Sequence, residues 1–199
     1  SVSVPELDSF ATITLELSAP APADVSVNYT IEGGTAAEDS DYVPTESSVT
    51  FAQGESSKRV TVAQILPDSI DEADETIKIT LHSPVNATIG LPATTVVRIN
   101  DDDPAPEVQF PFTEISIVES AHAIPVTLTL SAASAQHIVV DVGTIFDSAT
   151  LDDVETISTT LTFSPGETNR VFNLKLLDDQ IDEETESLVH VWWKCPAWQ

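Results

Sequence analysis

The sequence predicts an all-β protein made of two tandem antiparallel β-sandwiches, the second of them incomplete at its C-terminus. Apolar and polar residues alternate along most of the chain with the period of two that is typical of strands. Turns rich in Pro, Gly and Asp separate the alternating segments, and no segment sustains the 3.6-residue apolar period of a helix. The chain also repeats itself once, at a spacing of about 112 residues, which indicates two copies of one domain.

Six alternating segments define most of the strands in the first copy. They are residues 10–18, 24–33, 48–55, 59–66, 76–83 and 94–101. In the first segment, Ala11 and Ile13 lie on one face of the predicted strand, while Phe10 and Thr14 lie on the other. A further strand is expected before Glu6, so that the glutamate follows a strand end.

The repeat sets the predicted domain boundaries. Residues 2–18 match 115–131, residues 49–62 match 161–174, and residues 66–77 match 177–188. We therefore expect a first domain at 1–103, a Pro-containing linker at 104–107 and a second domain at 108–199. Residues 190–199 match nothing in the first copy and are expected to form a non-repeat tail, so the final strand and its Asp triplet have no counterpart in the second copy.

The composition restricts the classes of partner. Asp and Glu number 33 against seven Lys and Arg, which gives a formal net charge of −26. Nucleic acids and anionic membranes would be repelled, so neither is expected as a partner. No run of 18 apolar residues occurs, so no insertion into a membrane is expected. The lone Cys195 excludes an internal disulfide framework, and the absence of Met and of a visible signal peptide indicates a mature piece or an excised fragment. Thr, Val, Ser and Ala dominate, as is typical of strands in an extracellular module, so a fragment of a larger extracellular or cell-surface protein is expected.

The acidic residues of the first copy concentrate where strands end. They are Glu6, Asp39, Asp41, Asp68, Asp71, Glu72, Asp74, Glu75, Asp101, Asp102 and Asp103. Alternate connections of an antiparallel sandwich emerge at the same end, so the loop at 67–75 is expected beside the end of the last strand at 101–103. Carboxylates crowded into one small volume repel one another unless a cation neutralises them.

Calcium fits this donor set better than other cations. It takes about six to eight oxygen ligands at about 2.3–2.6 Å, whereas magnesium keeps more of its water. Transition metals prefer His or Cys, and the four His are scattered along the sequence. The alternative is a solvated acidic face. Against that alternative, the acids recur at equivalent positions in both copies and lie in connections instead of on strand faces.

A family resemblance is carried by the pattern "DYVP…VTFAQGE…ILPDSIDEADETI…L…VVRINDDD". The pattern resembles the Calx-beta domain, which is known from the regulatory loop of sodium/calcium exchangers and from extracellular and bacterial surface proteins. The resemblance covers residues 1–103 completely and 107–190 in part. It implies an immunoglobulin-like sandwich of about seven strands, with calcium bound at one tip in many members.

The resemblance also implies a set of calcium ligands in each copy. In the first copy they are Glu6, Asp41, Asp68, Glu72, Glu75, Asp101, Asp102 and Asp103. In the second copy they are Glu119, Asp153, Asp178, Asp179, Glu183 and Glu186. The chain departs from the family pattern at Pro67, where many calcium-binding members have an Asp, and at Val154, which replaces the Tyr of the Asp-Tyr loop. Together with the missing Asp triplet of the second copy, these departures are expected to weaken binding or to reduce the number of ions.

The expected function is non-enzymatic. We predict a calcium-binding module that stiffens and orients a longer extracellular or cell-surface adhesive or matrix protein, with other domains of that protein or a matrix component as partners. Two alternatives stay open: a calcium-sensing regulatory module of a membrane transporter, and a spacer or partner-binding module with a vestigial site. Catalysis is not expected, because no G-x-S-x-G motif occurs and the acids crowd among other acids.

Overall fold

The computed structural model describes residues 2–45, 47–111, 121–146 and 149–177, together with the backbone of residues 188–194. The described residues are organised as β-strands and contain no α-helix, which confirms the predicted all-β class. They therefore contain no helix that is long and apolar enough to cross a membrane. The chain forms two compact units, residues 1–103 and 104–199.

The first unit is a sandwich of two sheets. Its strands are β1 (Val2–Pro5), β2 (Phe10–Glu16), β3 (Val25–Gly33), β4 (Tyr42–Pro44), β5 (Ser48–Phe51), β6 (Ser57–Ile65), β7 (Glu75–Val85) and β8 (Thr94–Asn100). One sheet has the order β1-β8-β7-β3-β5, and the other has the order β2-β6-β4. All pairs in this unit are antiparallel except β1 with β8, which run parallel.

The alternation in the sequence accounts for the core between these sheets. Along β2, Ala11 and Ile13 are buried, whereas Phe10 and Thr14 are exposed, as the period of two predicts. The largest fully buried side chains of the unit are Tyr29, Tyr42, Phe51, Ile65, Ile77, Ile79, Val62 and Val97. Burying each large apolar side chain stabilises the fold by about 1.5–3 kcal/mol.

The strand register brings three acidic segments to one edge of the larger sheet. Pro5 at the end of β1 pairs with Asn100 at the end of β8. Glu75 at the start of β7 pairs with Ile99 in the antiparallel ladder between β7 and β8. The residues that follow β1, precede β7 and follow β8 therefore meet at this edge, as the sequence predicted for the loop at 67–75.

The short strand β4 brings a fourth acidic segment to the same end of the unit. Tyr42 pairs with Ile65 at the end of β6, and its side chain is almost completely buried. The amide of Leu66 donates to the carbonyl of Asp41 at 3.0 Å. Asp41 is thereby attached to the beginning of the loop at 67–75.

The second unit has strands in two three-stranded sheets. They are β9 (Val108–Gln109), β10 (Ala123–Leu130), β11 (Ile138–Phe146), β12 (Ser158–Phe163), β13 (Asn169–Lys175) and β14 (Leu188–Lys194). The sheet orders are β13-β10-β9 and β12-β11-β14. Residues 190–194, which the sequence assigned to a non-repeat tail, continue β14 and pair with β11, as β7 pairs with β3 in the first unit. No counterpart of β8 is found in the described part of this unit.

A matching turn follows β5 and β12. Gly54 and Gly166 both adopt positive φ, at 89° and 79°, which glycine accepts without strain. The carboxylate of Glu55 accepts from the amide of Ala52 at 2.8 Å, and that of Glu167 accepts from Ser164 at 2.7 Å. The sequence repeat is therefore also a repeat of local structure.

Candidate metal centre

Glu6 joins the end of β1 to the acidic loop at 67–75. Its amide donates to the carbonyl of Asn100 at 2.9 Å, which extends the pairing of β1 with β8 by one residue. Its side chain is only 8% exposed, and Oε1 accepts a hydrogen bond from the amide of Asp68 at 3.0 Å. A buried carboxylate is thus held where the strand end and the loop meet.

Main-chain amides orient two further carboxylates at this end of the unit. Asp68 Oδ1 accepts from the amide of Ile70 at 2.6 Å, in the manner of an Asx turn. Asp41 Oδ2 accepts from the amide of Ala37. Each bond engages one carboxylate oxygen and fixes the direction of its side chain.

Six carboxylates form two groups of three. The Glu6 group consists of Glu6, Asp68 and Asp103, and the Glu75 group consists of Asp41, Glu72 and Glu75. Within each group, one oxygen of every residue lies within 4.8 Å of the others. Oxygens that share one calcium ion lie at most about 5 Å apart, because each is about 2.3–2.6 Å from the ion. Both groups have the spacing of shared ligands.

Asp101 adds an unpaired oxygen next to members of both groups. It lines a small cavity together with Glu6, Asp41, Glu72 and Glu75. Its Oδ1 is buried and has no hydrogen-bond partner among the described residues. Buried polar atoms nearly always have a partner, and leaving one unpaired costs about 1–3 kcal/mol. A cation in the cavity would supply the missing partner.

The donor set suits a hard cation. All the ligand atoms in the two groups are carboxylate oxygens, and neither group includes a His or Cys. Oxygen-only ligation by several carboxylates is typical of calcium, whereas zinc and copper sites use nitrogen or sulfur ligands. The residues present therefore fit a calcium ion.

Burial and mutual repulsion raise the pKa of four carboxyl groups at this tip. Burial is the largest cause for Glu75, followed by its hydrogen bond with Asp41, and together with nearby charges they raise its pKa to about 7. Burial is also the first cause of the raised pKa of Glu6, Glu72 and Asp101, and neighbouring carboxylates add to it. Burial is thus the main cause of the raised pKa values, and repulsion between the carboxylates, which a divalent cation relieves, adds to it.

The structure brings together seven of the eight acids that the sequence singled out in the first copy. Six form the two groups and Asp101 lines the cavity, whereas Asp102 is exposed and belongs to neither group. Asp71, which was outside the predicted ligand set, is only 6% exposed, and its charge helps to raise the pKa of Asp101. No sequence signal marks Asp71, because five acids share the loop at 67–75.

In the second unit, Asp153 occupies the same backbone position as Asp41. Its Oδ2 accepts from the hydroxyl of Thr150 at 2.8 Å and from the amide of the same residue, and its carbonyl accepts from the amide of Leu177 at 2.8 Å. Val154, which replaces the Tyr of the first unit, is buried like Tyr42. The other predicted ligands of this unit lie outside the described residues. They are Glu119, Asp178, Asp179, Glu183 and Glu186.

The sequence matches the Calx-beta domain family twice, at residues 1–103 and 101–194. The chain therefore belongs to the Calx-beta domain family, as the sequence pattern indicated. Its two tandem sandwiches are two Calx-beta domains.

Several curated proteins are similar to this chain. Sodium/calcium exchanger 1 of Bos taurus is 30% identical over 185 residues, which cover 82% of this chain and 19% of the exchanger. Adhesion G-protein coupled receptor V1 of Danio rerio is 30% identical over 196 residues, covering 94% of this chain and 3% of the receptor. Extracellular matrix protein 3 of Lytechinus variegatus is 32% identical over 148 residues, covering 68% of this chain and 5% of that protein. The chain thus spans less than a fifth of the length of these relatives.

A solved structure shares the fold. The crystal structure of calcium binding domain CBD12 of CALX1.1 is 24% identical, with a TM-score of 0.50, and the match covers 89% of this chain and 73% of that chain. At this identity, the similarity is one of fold.

Proposed function

We propose that the first unit binds calcium at its acidic tip and that binding stiffens and orients a longer extracellular or cell-surface adhesive or matrix protein. The observation that carries the proposal is the pair of three-carboxylate groups, members of which line a cavity together with Asp101, whose buried Oδ1 has no hydrogen-bond partner among the described residues. The ligands would come from both groups and from Asp101. The proposed role is non-enzymatic, and the partners are calcium ions, other domains of the same protein or a matrix component.

The proposed mechanism is electrostatic. Without a counter-ion, the carboxylates of the tip repel one another, and this repulsion adds to burial in raising the pKa of Glu6, Glu72, Glu75 and Asp101. A bound calcium ion supplies positive charge and oxygen coordination at the tip. The Glu6 group then joins the ends of β1 and β8 to the loop at 67–75, and the Glu75 group joins β4 to the same loop. Four separate chain segments become fixed to one another.

The proposed orienting role follows from the place of Asp103 in the chain. Asp103 belongs to the Glu6 group and directly precedes Pro104, the first residue of the linker. Fixing Asp103 fixes the residue from which the linker leaves the first unit, and the prolines of the linker restrict the following backbone. Calcium would therefore narrow the range of directions in which the chain continues.

The energy available from calcium is sufficient for a structural role. A ligand that binds only the folded state stabilises it by about 2.7 kcal/mol at a hundredfold excess over its Kd. Extracellular modules bind calcium with Kd values of about 0.1–1 mM. Pro67 at a position that holds an Asp in many members removes one carboxylate, which favours such a weak site over a tight one.

The second candidate is a calcium sensor that regulates a membrane transporter. The 30% identity to sodium/calcium exchanger 1 over 82% of this chain favours it. Affinity separates the two candidates, because a sensor binds calcium at about 0.1–10 μM and an extracellular structural module much more weakly. A spacer with a vestigial site would show no calcium response at all.

The test is thermal unfolding of the wild type and of the Glu72→Gln/Glu75→Gln variant, each in EDTA and in millimolar calcium. We expect calcium to raise the midpoint of the first unit by several degrees in the wild type and to leave the double variant unchanged. Glu16→Gln/Glu32→Gln, which removes two exposed acids outside both groups, is the charge-matched control and should respond like the wild type. An equal response of the wild type and Glu72→Gln/Glu75→Gln would refute a site at this tip. Superimposable scattering profiles with and without calcium would refute the orienting role.

A further inference from the structure

Both carboxylate oxygens of Asp74 accept hydrogen bonds, one from β8 and one from the residue that follows β8. Its Oδ1 accepts from the amide of Asp101, and its Oδ2 accepts from Arg98 Nη1, each at 3.2 Å. Asp74 belongs to neither three-carboxylate group and does not line the cavity. Asp74 therefore contacts β8 and the segment after it, which contains Asp101 and Asp103, without belonging to either group.

The strand register explains why a side chain is needed at this point. The last pair in the ladder between β7 and β8 is Glu75 with Ile99. The strand β8 continues to Asn100, which pairs with β1. The strand β7 begins at Glu75, so no residue of β7 pairs with Asn100. The amide of Asp101 thus lies past the end of the ladder, and the carboxylate of Asp74 takes the place of a main-chain acceptor.

The ion pair with Arg98 places a positive charge beside Asp74. Arg98 Nη1 lies 3.2 Å from Asp74 Oδ2. The two side chains are 55% and 43% exposed, and exposed pairs contribute at most about 1 kcal/mol to stability. The ion pair therefore contributes little to the free energy of unfolding, and its main effect is to fix the position of the Asp74 carboxylate.

The sequence repeat sets Asp74 apart from the acids around it. In the second copy, acids match Glu72 and Glu75, whereas Thr185 stands at the position of Asp74. The partner of Asp74 in the first unit, Arg98, lies on β8, a strand without a counterpart in the described part of the second unit. The acid at position 74 is therefore found in the copy that has β8, and it is not part of the ligand pattern that both copies share.

We infer that Asp74 is a positioning residue for the calcium site. It holds the backbone of Asp101, with Arg98 as its counter-ion. The carboxylate of Asp101 is thereby kept at the cavity, and that of Asp103 is kept near Glu6 and Asp68. Asp74 does not itself coordinate the ion. The inference rests on the proposed function for the identity of the ion, and it assigns to Asp74 a role that its neighbours Glu72 and Glu75 do not share.

The experiment compares Asp74→Ala, Asp74→Asn, Glu72→Gln and the control Glu32→Gln in the full chain. Asp74→Asn keeps an oxygen that accepts from the amide of Asp101, whereas Asp74→Ala keeps none. Glu32 is also an exposed acid in an ion pair, with Lys78 at 3.9 Å, so Glu32→Gln removes the same charge at a residue outside both groups and the cavity. Two quantities are measured: calcium affinity by titration calorimetry with CaCl₂, and hydrogen exchange of the Asp101 amide by NMR in EDTA.

The positioning role predicts a graded result. In Asp74→Ala, calcium affinity falls about tenfold and exchange of the Asp101 amide accelerates by a similar factor, because a hydrogen bond to a charged group is lost. In Asp74→Asn, both quantities stay within about threefold of the wild type. Glu72→Gln weakens calcium binding more than either but leaves the Asp101 amide protected.

Two results would overturn the inference. If Asp74→Asn weakens calcium binding as much as Glu72→Gln, then Asp74 is a ligand. If Asp74→Ala matches Glu32→Gln in amide exchange, then Asp74 does not hold Asp101. Failure of the wild type to bind calcium would instead overturn the proposed function, and the exchange measurement in EDTA would still decide whether Asp74 fixes the end of β8.

Discussion

The amide of Asp68 donates a hydrogen bond to Glu6 Oε1 at 3.0 Å, although 62 residues separate the two acids in the chain. This bond favours the charged form of Glu6, but burial outweighs it and raises the pKa of the Glu6 carboxyl. The Glu6 side chain therefore stabilises the fold by accepting this hydrogen bond, and its negative charge destabilises the fold because it is buried. The two can be separated by a substitution that keeps the acceptor and removes the charge.

Glu6→Gln is expected to have opposite effects in the absence and presence of calcium. The amide oxygen can still accept from Asp68, and the loss of charge relieves repulsion from Asp101 and Asp103. In EDTA the unfolding midpoint should rise by a few degrees. In millimolar calcium the variant should gain less than the wild type, because a candidate ligand is lost. Calorimetric unfolding scans in both conditions measure the two effects, with Glu32→Gln as the control; a fall of the midpoint in EDTA would contradict the prediction.

The stability of the calcium-free protein is expected to decrease as the pH rises from about 4.5 to 7. The pKa of Glu75 is raised from 4.5 to about 7, so the folded state binds this proton more tightly than the unfolded state does. Its contribution is fully present below the unfolded pKa and is lost as the pH rises through the folded pKa. Glu6, Glu72 and Asp101 have raised pKa values and act in the same direction. After allowance for solvent screening, the loss due to Glu75 is on the order of 1 kcal/mol.

Unfolding midpoints in EDTA across this pH range measure the effect. The side chain at position 75 of Glu75→Gln is uncharged at every pH, so the unfolding midpoint of this variant should decrease less as the pH rises. Glu32→Gln should show the same decrease as the wild type. An equally steep decline in the wild type and in Glu75→Gln would show that Glu75 does not hold the proton.

Calcium and protons are expected to compete at the Glu75 group. Calcium coordination requires the carboxylate form, so binding must displace the proton that Glu75 retains up to a pKa of about 7. Calcium affinity should therefore fall between pH 8 and pH 6, by up to about tenfold per pH unit for each proton displaced. Titration calorimetry in two buffers of different ionisation enthalpy counts the protons released. Glu75→Gln has no carboxyl proton at position 75 to lose, so it should release fewer protons than the wild type at pH 6.5. An equal number of released protons would show that the displaced proton is not on Glu75.

The sequence predicted the elements that depend on side-chain periodicity. The alternation over 10–18 gave β2 with Ala11 and Ile13 inside, and the acids at strand ends indicated that the loop at 67–75 lies beside the end of the last strand. Both follow from the pleat of a strand and from the connectivity of a sandwich, which are local or topological properties. They require no knowledge of distances.

The features that the sequence missed depend on long-range main-chain pairing. The strand β4 has three residues, too few for a periodic pattern, and it exists because Tyr42 pairs with Ile65. The division of the acids into two groups depends on oxygen positions that no spacing in the sequence encodes. Residues 190–194 share no side-chain pattern with β7, yet their backbone pairs with β11 in the equivalent position, because ladder hydrogen bonds use only main-chain atoms.

Gly34 provides a test of the packing that supports the start of β7. Its amide donates to the carbonyl of Thr76 at 2.7 Å, and a Cβ at this position would lie 2.3 Å from Thr76 Oγ1. That hydroxyl accepts from the amide of Thr35 at 3.1 Å, so it cannot move without breaking this bond. Gly34→Ala should therefore destabilise the first unit by about 1–3 kcal/mol, as other overpacked sites do.

The matched control is Gly90→Ala, since a Cβ at Gly90 would meet no atom within 4 Å. Its effect should stay within about 0.5 kcal/mol. Urea unfolding of both variants in EDTA measures the difference. Equal midpoints for the two variants would mean that Thr76 moves aside at no cost, and that the start of β7 does not depend on close contact with Gly34.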